Sequence, residues 1–350
     1  MRHVIDLDDL RASDKGLVGA KMARLGELRS RGWQVPDGYA VTAAALSQAL
    51  SDPASPALRD AVAAAHERLR QRTGRGAALS VAVRSSGIAE DGAAASYAGQ
   101  YDTYLGITEF ADVLEHIGKC RDSGRAARAE AYRRRFGGTD AETGEPGSEG
   151  GARLAVGVLE LVDARSAGVV FTLDPVTGDR GRLVVEANWG FGESIVSGHV
   201  SPDHWDVDGA TGAVLQRQTG AKRRWCALDP DTGRVTSREL PAELADEPCL
   251  SDDELRYLCE KAREIEAAEG MPQDVEWAIA KHLPFPDSVF FLQHRPETSW
   301  STPPEAVPGQ SDGSVRDDSA SPGGRLPGPP DDGFDPVQYA LRNVFKVPGT

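Results

Sequence analysis

Pro272-Gln-Asp-Val-Glu-Trp-Ala278 and, a hairpin's length later, Phe290-Phe-Leu-Gln-His-Arg-Pro296 decide how this chain is read. Both runs alternate polar and apolar residues, the period of half-buried strands. Side chains two apart on a strand share a face, so Asp274 and Glu276 point one way, and Gln293 and Arg295 do likewise. Paired, the strands carry two carboxylates, an amide oxygen and a guanidinium on one surface. Oxygen donors of this kind suit Mg2+, and a fixed arginine suits phosphate oxygens. The pair therefore reads as the floor of a nucleoside triphosphate site. His294, by the same alternation, faces away from Gln293 and Arg295.

Upstream, Leu17, Val18, Met22, Leu25 and Leu28 recur at helical spacing, which predicts a helix over 15–30 stopped by Gly32. Residues 34–42 read as a turn into a short strand, 57–71 as an Ala-rich helix, 79–83 and 101–107 as strands, and 110–136 as a long helix. The Gly-rich acidic stretch 137–151 is taken as the boundary between two halves, 1–150 and 151–300. Apolar strands are expected at 154–162, 167–172 and 182–187. A helix over 251–269 opens with Ser251 as N-cap and Glu254 at the capping-box position. Residues 301–333, rich in Pro, Gly, Ser and Asp, lack the apolar content to fold and read as a flexible linker. Residues 334–350 turn apolar and amphipathic again, either a docking segment for another subunit or a tail that packs back on its own domain.

With 350 residues, 40% of them hydrophobic, the chain has material for more than one core. A net charge of -15 argues against a general nucleic-acid binder, which needs a basic face. It does not oppose a nucleotide site, where a few local cations and Mg2+ set the field. Cys120, Cys226, Cys249 and Cys259 form no Cys-x-x-Cys pair and no metal-type cluster with histidine. No window reaches the roughly 20 apolar residues of a membrane span. The expectation is a soluble cytoplasmic protein acting on neither nucleic acid nor membrane.

Three further segments carry chemistry. In Val81-Ala-Val-Arg-Ser-Ser-Gly-Ile-Ala-Glu-Asp91, Arg84 stands just after the predicted strand, placed to fork onto phosphate oxygens. Ser96-Tyr-Ala-Gly-Gln-Tyr-Asp-Thr103 is a small-residue loop able to lie over phosphates with its amides exposed. Gly19-Ala-Lys21 offers an ammonium, although Lys21 by itself reads as a solvated helix lysine. Asp174-Pro-Val-Thr-Gly178 and Trp189-Gly-Phe-Gly192 have ordinary turn chemistry, and Glu186 and Glu193 are open to a structural role capping backbone amides.

Taken together and in order, these segments resemble the ATP-binding domain of the phosphoenolpyruvate synthase, pyruvate phosphate dikinase and rifampicin phosphotransferase family. The resemblance also rests on Gly19-Ala-Lys-Met-Ala-Arg-Leu-Gly26, Val35-Pro-Asp-Gly-Tyr-Ala-Val-Thr42, Gly168-Val-Val-Phe-Thr-Leu-Asp-Pro-Val-Thr-Gly178, Glu186-Ala-Asn-Trp-Gly-Phe-Gly-Glu193 and Val196-Ser-Gly-His-Val-Ser-Pro-Asp203. It runs from about residue 13 to 298. It implies an α+β, ATP-grasp-like fold of two subdomains clasping ATP. By position, it implies that Lys21, Arg84, Gly99 and Thr103 hold the nucleotide and its phosphates. It further implies that Glu276 and Gln293 bind Mg2+ with Asp274 in support, and that Arg295 and Arg84 serve the transfer. One departure is Leu159, where the family pattern has a glutamine near the base.

Family members pass phosphoryl through a histidine on a mobile domain. None of His3, His66, His116, His199, His204, His282 and His294 has that histidine's Gly-rich, Thr- or Ser-flanked setting, and the expectation is that no substrate barrel follows residue 300. A separate subunit of this kind resembles the ATP-binding subunit of aryl phosphate synthases. That implies a second subunit bearing the phosphohistidine and the small-molecule acceptor, a phenol or alkylphenol such as p-cresol. Two alternatives stand beside it: a component of a phosphoenolpyruvate synthase or antibiotic phosphotransferase, and a non-catalytic ATP-sensing subunit.

Overall fold

In the computed structural model, residues 2–51, 56–88, 102–136, 154–196, 200–229, 232–297 and 300 are described. The stretch 137–151, residue Gly99 and everything from 301 onward, including the expected linker and docking segment, lie outside them.

The first sheet contains β1 (Val4–Asp6), β2 (Gly38–Val41), β3 (Val81–Gly87), β4 (Thr103–Ile107) and β5 (Leu154–Glu160) in the order β1-β2-β5-β3-β4. All of its pairings are antiparallel. Helices α1 (Lys15–Ser30), α2 (Ala43–Ser51), α3 (Pro56–Thr73) and α4 (Phe110–Phe136) accompany it. Val62 and Leu69 of α3 and Val113 and Ile117 of α4 bury against Val81, Val83, Val156 and Val158, one apolar side of the sheet. Because β5 is central to this sheet, the chain crosses to the second sheet over residues 161–163, beyond the division expected at 150.

The second sheet has the order β13-β12-β6-β7-β8-β9, again with every pairing antiparallel. Its strands are β6 (Ala164–Phe171), β7 (Arg182–Trp189), β8 (Asp203–Asp208), β9 (Val214–Gln218), β12 (Gln273–Ala280) and β13 (Val289–Pro296). A separate hairpin, β10 (Arg224–Leu228) with β11 (Val235–Glu239), precedes short α6 (Ala242–Ala245), and α5 (Glu193–Val196) follows β7. Helix α7 (Asp252–Glu269) lays Leu255, Leu258, Ala262 and Ile265 into the same core as Val275, Trp277 and Ile279 of β12. Its Ser251 cap and reciprocal Glu254 bond form as the sequence predicts, and Gly270 closes it in a left-handed conformation at φ 73. Trp33 stands edge-on to Phe291 with ring centroids 5.0 Å apart, joining the α1 region to the second sheet. Among the described residues no helix is long and apolar enough to cross a membrane.

Two local readings need correction. The apolar pattern ends the strand near Val83, but β3 continues to Gly87, so Arg84 lies within the strand, opposite Thr103 on one side and Gly157 on the other. A polar run hides a strand when it is buried between sheets, because alternation then tracks chemistry rather than solvent. The first helix is also interrupted at Gly19 (φ 77, ψ 167). A Cβ there would stand 2.3 Å from the Ser86 carbonyl oxygen, so only glycine allows α1 to lean on β3.

Candidate functional site

The register of β12 on β13 sets Asp274 directly opposite Arg295 and Glu276 opposite Gln293. Four polar side chains thus share one face of the hairpin, as alternation predicts. Asp274, Glu276 and Gln293 are nevertheless buried, each only 4% exposed. Asp274 Oδ2 accepts from Arg295 Nε at 3.0 Å and forms an ion pair with Nη2 at 2.9 Å. Asp274 Oδ1 and Glu276 Oε1 are buried with no hydrogen-bond partner.

Burial pushes the Asp274 carboxyl up to about 6, against the pull of Arg295. Burial also raises Glu276, opposed by the positive charges of Arg84, then Lys21, then Arg295. The charges of three cations, drawn from α1, β3 and β13, therefore bear on one carboxylate. The helix interruption at Gly19 and a bond from the Met22 amide to Ser86 Oγ at 3.3 Å bring Lys21 to this place.

Arg84 bridges the two sheets. Its Nη1 donates to the Leu292 carbonyl at 3.2 Å and its Nη2 donates to Gln293 Oε1. Thr103, half-buried, lies opposite Arg84 on β4. Of the eight positions carried over from the family, Arg84, Asp274, Glu276, Gln293 and Arg295 are tied together by contacts or charge, and Lys21 joins them through its field on Glu276. Thr103 adjoins by register, and Gly99 lies outside the described residues. His294 points to the other side, with Nδ1 facing Gln273 Oε1 at 3.1 Å. Leu159 is buried in the core, opposite Gly38 and Ala82.

Some polar groups escape sequence reasoning. Glu186 faces His204 Nδ1 at 3.3 Å rather than a backbone amide, and His204 Nε2 faces Asp206 at 3.2 Å. The i, i+2 spacing of His204 and Asp206 on one strand is the signal that would have found them. Asp174 does act as a turn-former, its Oδ1 accepting from the Val176 amide at 2.8 Å and the Thr177 amide at 3.2 Å. Glu193 is mostly buried, and desolvation pushes its carboxyl up to about 7.

These residues fit a divalent cation of a particular kind. Asp274 and Glu276 each leave one buried carboxylate oxygen without a partner, while no group of three or more His, Cys, Asp or Glu forms a metal cluster among the described residues. Such a set suits an ion that takes most of its ligands from phosphate and water, as Mg2+ does, rather than zinc.

The family described as pyruvate phosphate dikinase, AMP/ATP-binding domain, matches residues 47–312. That span holds Arg84 and both strands of the hairpin, while Lys21 precedes it. A probable phosphoenolpyruvate synthase of Staphylothermus marinus is 34% identical over 356 residues, covering 86% of this chain and 42% of the relative. A rifampicin phosphotransferase of a Streptomyces species is 37% identical over 337 residues, covering 87% of this chain and 37% of the relative. The prodigiosin synthesizing transferase PigC of Serratia marcescens is 34% identical over 335 residues, covering 90% of this chain and 36% of the relative. The chain thus spans less than half the length of each.

Proposed function

The chain belongs to the pyruvate phosphate dikinase AMP/ATP-binding domain family, and from that premise we propose that it is the ATP-binding catalytic subunit of a histidine-relay phosphotransferase. Its two sheets act as the two clasping subdomains of an ATP-grasp-like fold. The observation that carries this reading is the convergence of Lys21 and Arg84, from the first half of the chain, on the carboxylate and amide pair of β12 and β13.

Each residue has a physical role in this reading. Lys21 and Arg84 clamp triphosphate oxygens, with Thr103 alongside. Glu276 and Gln293 hold Mg2+ with Asp274 in support, and the bound ion supplies charge neutralisation at the phosphates. Arg295 is oriented by Asp274 through an Nε hydrogen bond and an Nη2 ion-pair contact, so its charge is already in place as negative charge builds on the transferring group. Burial of the set excludes water and strengthens each interaction.

In this reading the phosphoryl acceptor is a histidine outside these 350 residues, placed on a second subunit, since none of the seven histidines of this sequence has the relay setting. The final acceptor is a phenol or alkylphenol held by that partner, and ATP, water and phenol give AMP, phosphate and aryl phosphate. A second reading, a component acting on pyruvate or on an antibiotic, is favoured by the names of the relatives. The test is Mg-ATP binding by the purified chain, followed by AMP release with and without a histidine-bearing subunit and a panel of phenol, p-cresol, pyruvate and rifampicin. Binding without turnover by the chain alone, and aryl phosphate only with the partner and a phenol, is the expected result. Aryl phosphate made by this chain alone would overturn the split arrangement, and transfer to pyruvate or rifampicin would favour the second reading.

A further inference from the structure

The oxygen of Gln293 assigned to the cation is already held by a positive charge. Arg84 donates to Gln293 Oε1 and to the neighbouring Leu292 carbonyl, and both acceptors lie on β13. An amide oxygen has two lone pairs, so a metal is not blocked by geometry alone. A guanidinium on one lone pair nonetheless leaves a full charge within a few ångströms of an ion on the other. Arg84 is 9% exposed, so little water screens that repulsion. Arg84 is also incompletely satisfied, because its buried Nε has no hydrogen-bond partner. A phosphate oxygen is the natural acceptor for that donor.

We propose that Arg84 occupies the charge position of the divalent cation while the nucleotide is absent, so the site refuses the free metal and admits it only together with a triphosphate that draws Arg84 off Gln293. The proposal rests on the nucleotide reading above and adds to it an order of assembly. A bare cation gains nothing from a displaced guanidinium, whereas a triphosphate binds that displaced state better and shifts the balance toward it. Because the Arg84–Gln293 and Arg84–Leu292 bonds join the two sheets, the same exchange replaces a protein–protein tie across the cleft with a ligand-mediated one.

The test is titration with Mn2+ alone, read by the paramagnetic resonance signal of the unbound ion, on the wild-type chain and on Arg84→Gln and Arg84→Lys. Removing the charge in Arg84→Gln is expected to tighten free Mn2+ by about tenfold or more, while affinity for Mg2+ with a non-hydrolysable ATP analogue falls. A damaged site would lose both, so opposite changes are the signature. Arg84→Lys keeps the charge and should exclude free Mn2+ as the wild type does. Equal free-Mn2+ affinity in wild type and folded Arg84→Gln would overturn the proposal, as would a gain in Arg84→Lys matching that of Arg84→Gln. The wild-type measurement stands by itself if Arg84→Gln does not fold, since a micromolar dissociation constant for free Mn2+ would also overturn it. Failure of the wild type to bind the Mg-analogue complex would instead remove the nucleotide reading, a separate outcome.

Discussion

Asp203 and Asp274 are both buried aspartates facing a cation in the second half of the molecule, yet they are built differently. Asp203 and Lys222 have side chains with no solvent exposure at all. Asp203 Oδ1 takes Lys222 Nζ and the Gly220 amide, and Oδ2 takes the Cys249 amide at 2.8 Å. Both oxygens are spent on the chain. Asp274 gives one oxygen to Arg295 and leaves the other without a partner, and Glu276 beside it also has an open oxygen. A saturated buried pair ties segments together. An unsaturated one stores a desolvation cost that a ligand can relieve, which is why burial raises Asp274 to about 6.

The largest effect should fall on the saturated pair. Replacing Lys222 by Met leaves Asp203 buried and uncompensated, with a loss of about 3–5 kcal/mol of stability expected by chemical denaturation. Any folded fraction should bind Mg-nucleotide as before, and a specific loss of nucleotide affinity would erase the contrast. At the open pair, Arg295→Ala should lower turnover by about 100–1,000-fold when assayed with the proposed histidine-bearing subunit, with unfolding changed far less than in Lys222→Met. Near-normal turnover would remove Arg295 from the transfer machinery.

A smaller effect belongs to the backbone that aims the cations. Gly19→Ala combines a positive φ with a Cβ contact on Ser86, so about 1–3 kcal/mol of strain is expected. Because Lys21 is two residues on, nucleotide affinity should fall along with the melting temperature. An unchanged affinity would mean that the interruption serves packing only.

The smallest effect is a pH slope. The bond to Glu186, ahead of the opposing burial, raises His204 above its ordinary 6.5. The folded state therefore holds this proton more tightly, and the stability it contributes is complete below 6.5 and lost as pH rises through the raised value. His204→Gln should flatten the wild-type stability profile above that point, and an identical slope in the variant would place the titration elsewhere.

The hairpin face was legible because the strand period is short and local: residues two apart must share a side whatever surrounds them. The α7 cap and the helix over 15–30 were legible for the same reason, since capping and helical spacing involve residues three or four apart. The extension of β3 through Arg84, Ser85 and Ser86 was not, because those polar residues are buried and follow the contacts around them rather than a solvated face. Nor did any pattern mark the Lys222–Asp203 tie, whose partners come from separate loops and strands.

By itself, then, the sequence determined which side chains stand together on β12 and β13, and an ordered set of motifs that belongs to an AMP/ATP-binding family. Only the tertiary structure decided that Arg84 reaches Gln293 across 209 residues, that Lys21 acts on Glu276, and which carboxylate oxygens stay open. The physical reason is range. Backbone geometry fixes neighbours within a turn or a strand, whereas contacts between two sheets and the depth of burial follow from how whole faces pack, and burial is what raises an ordinary carboxylate's hold on its proton.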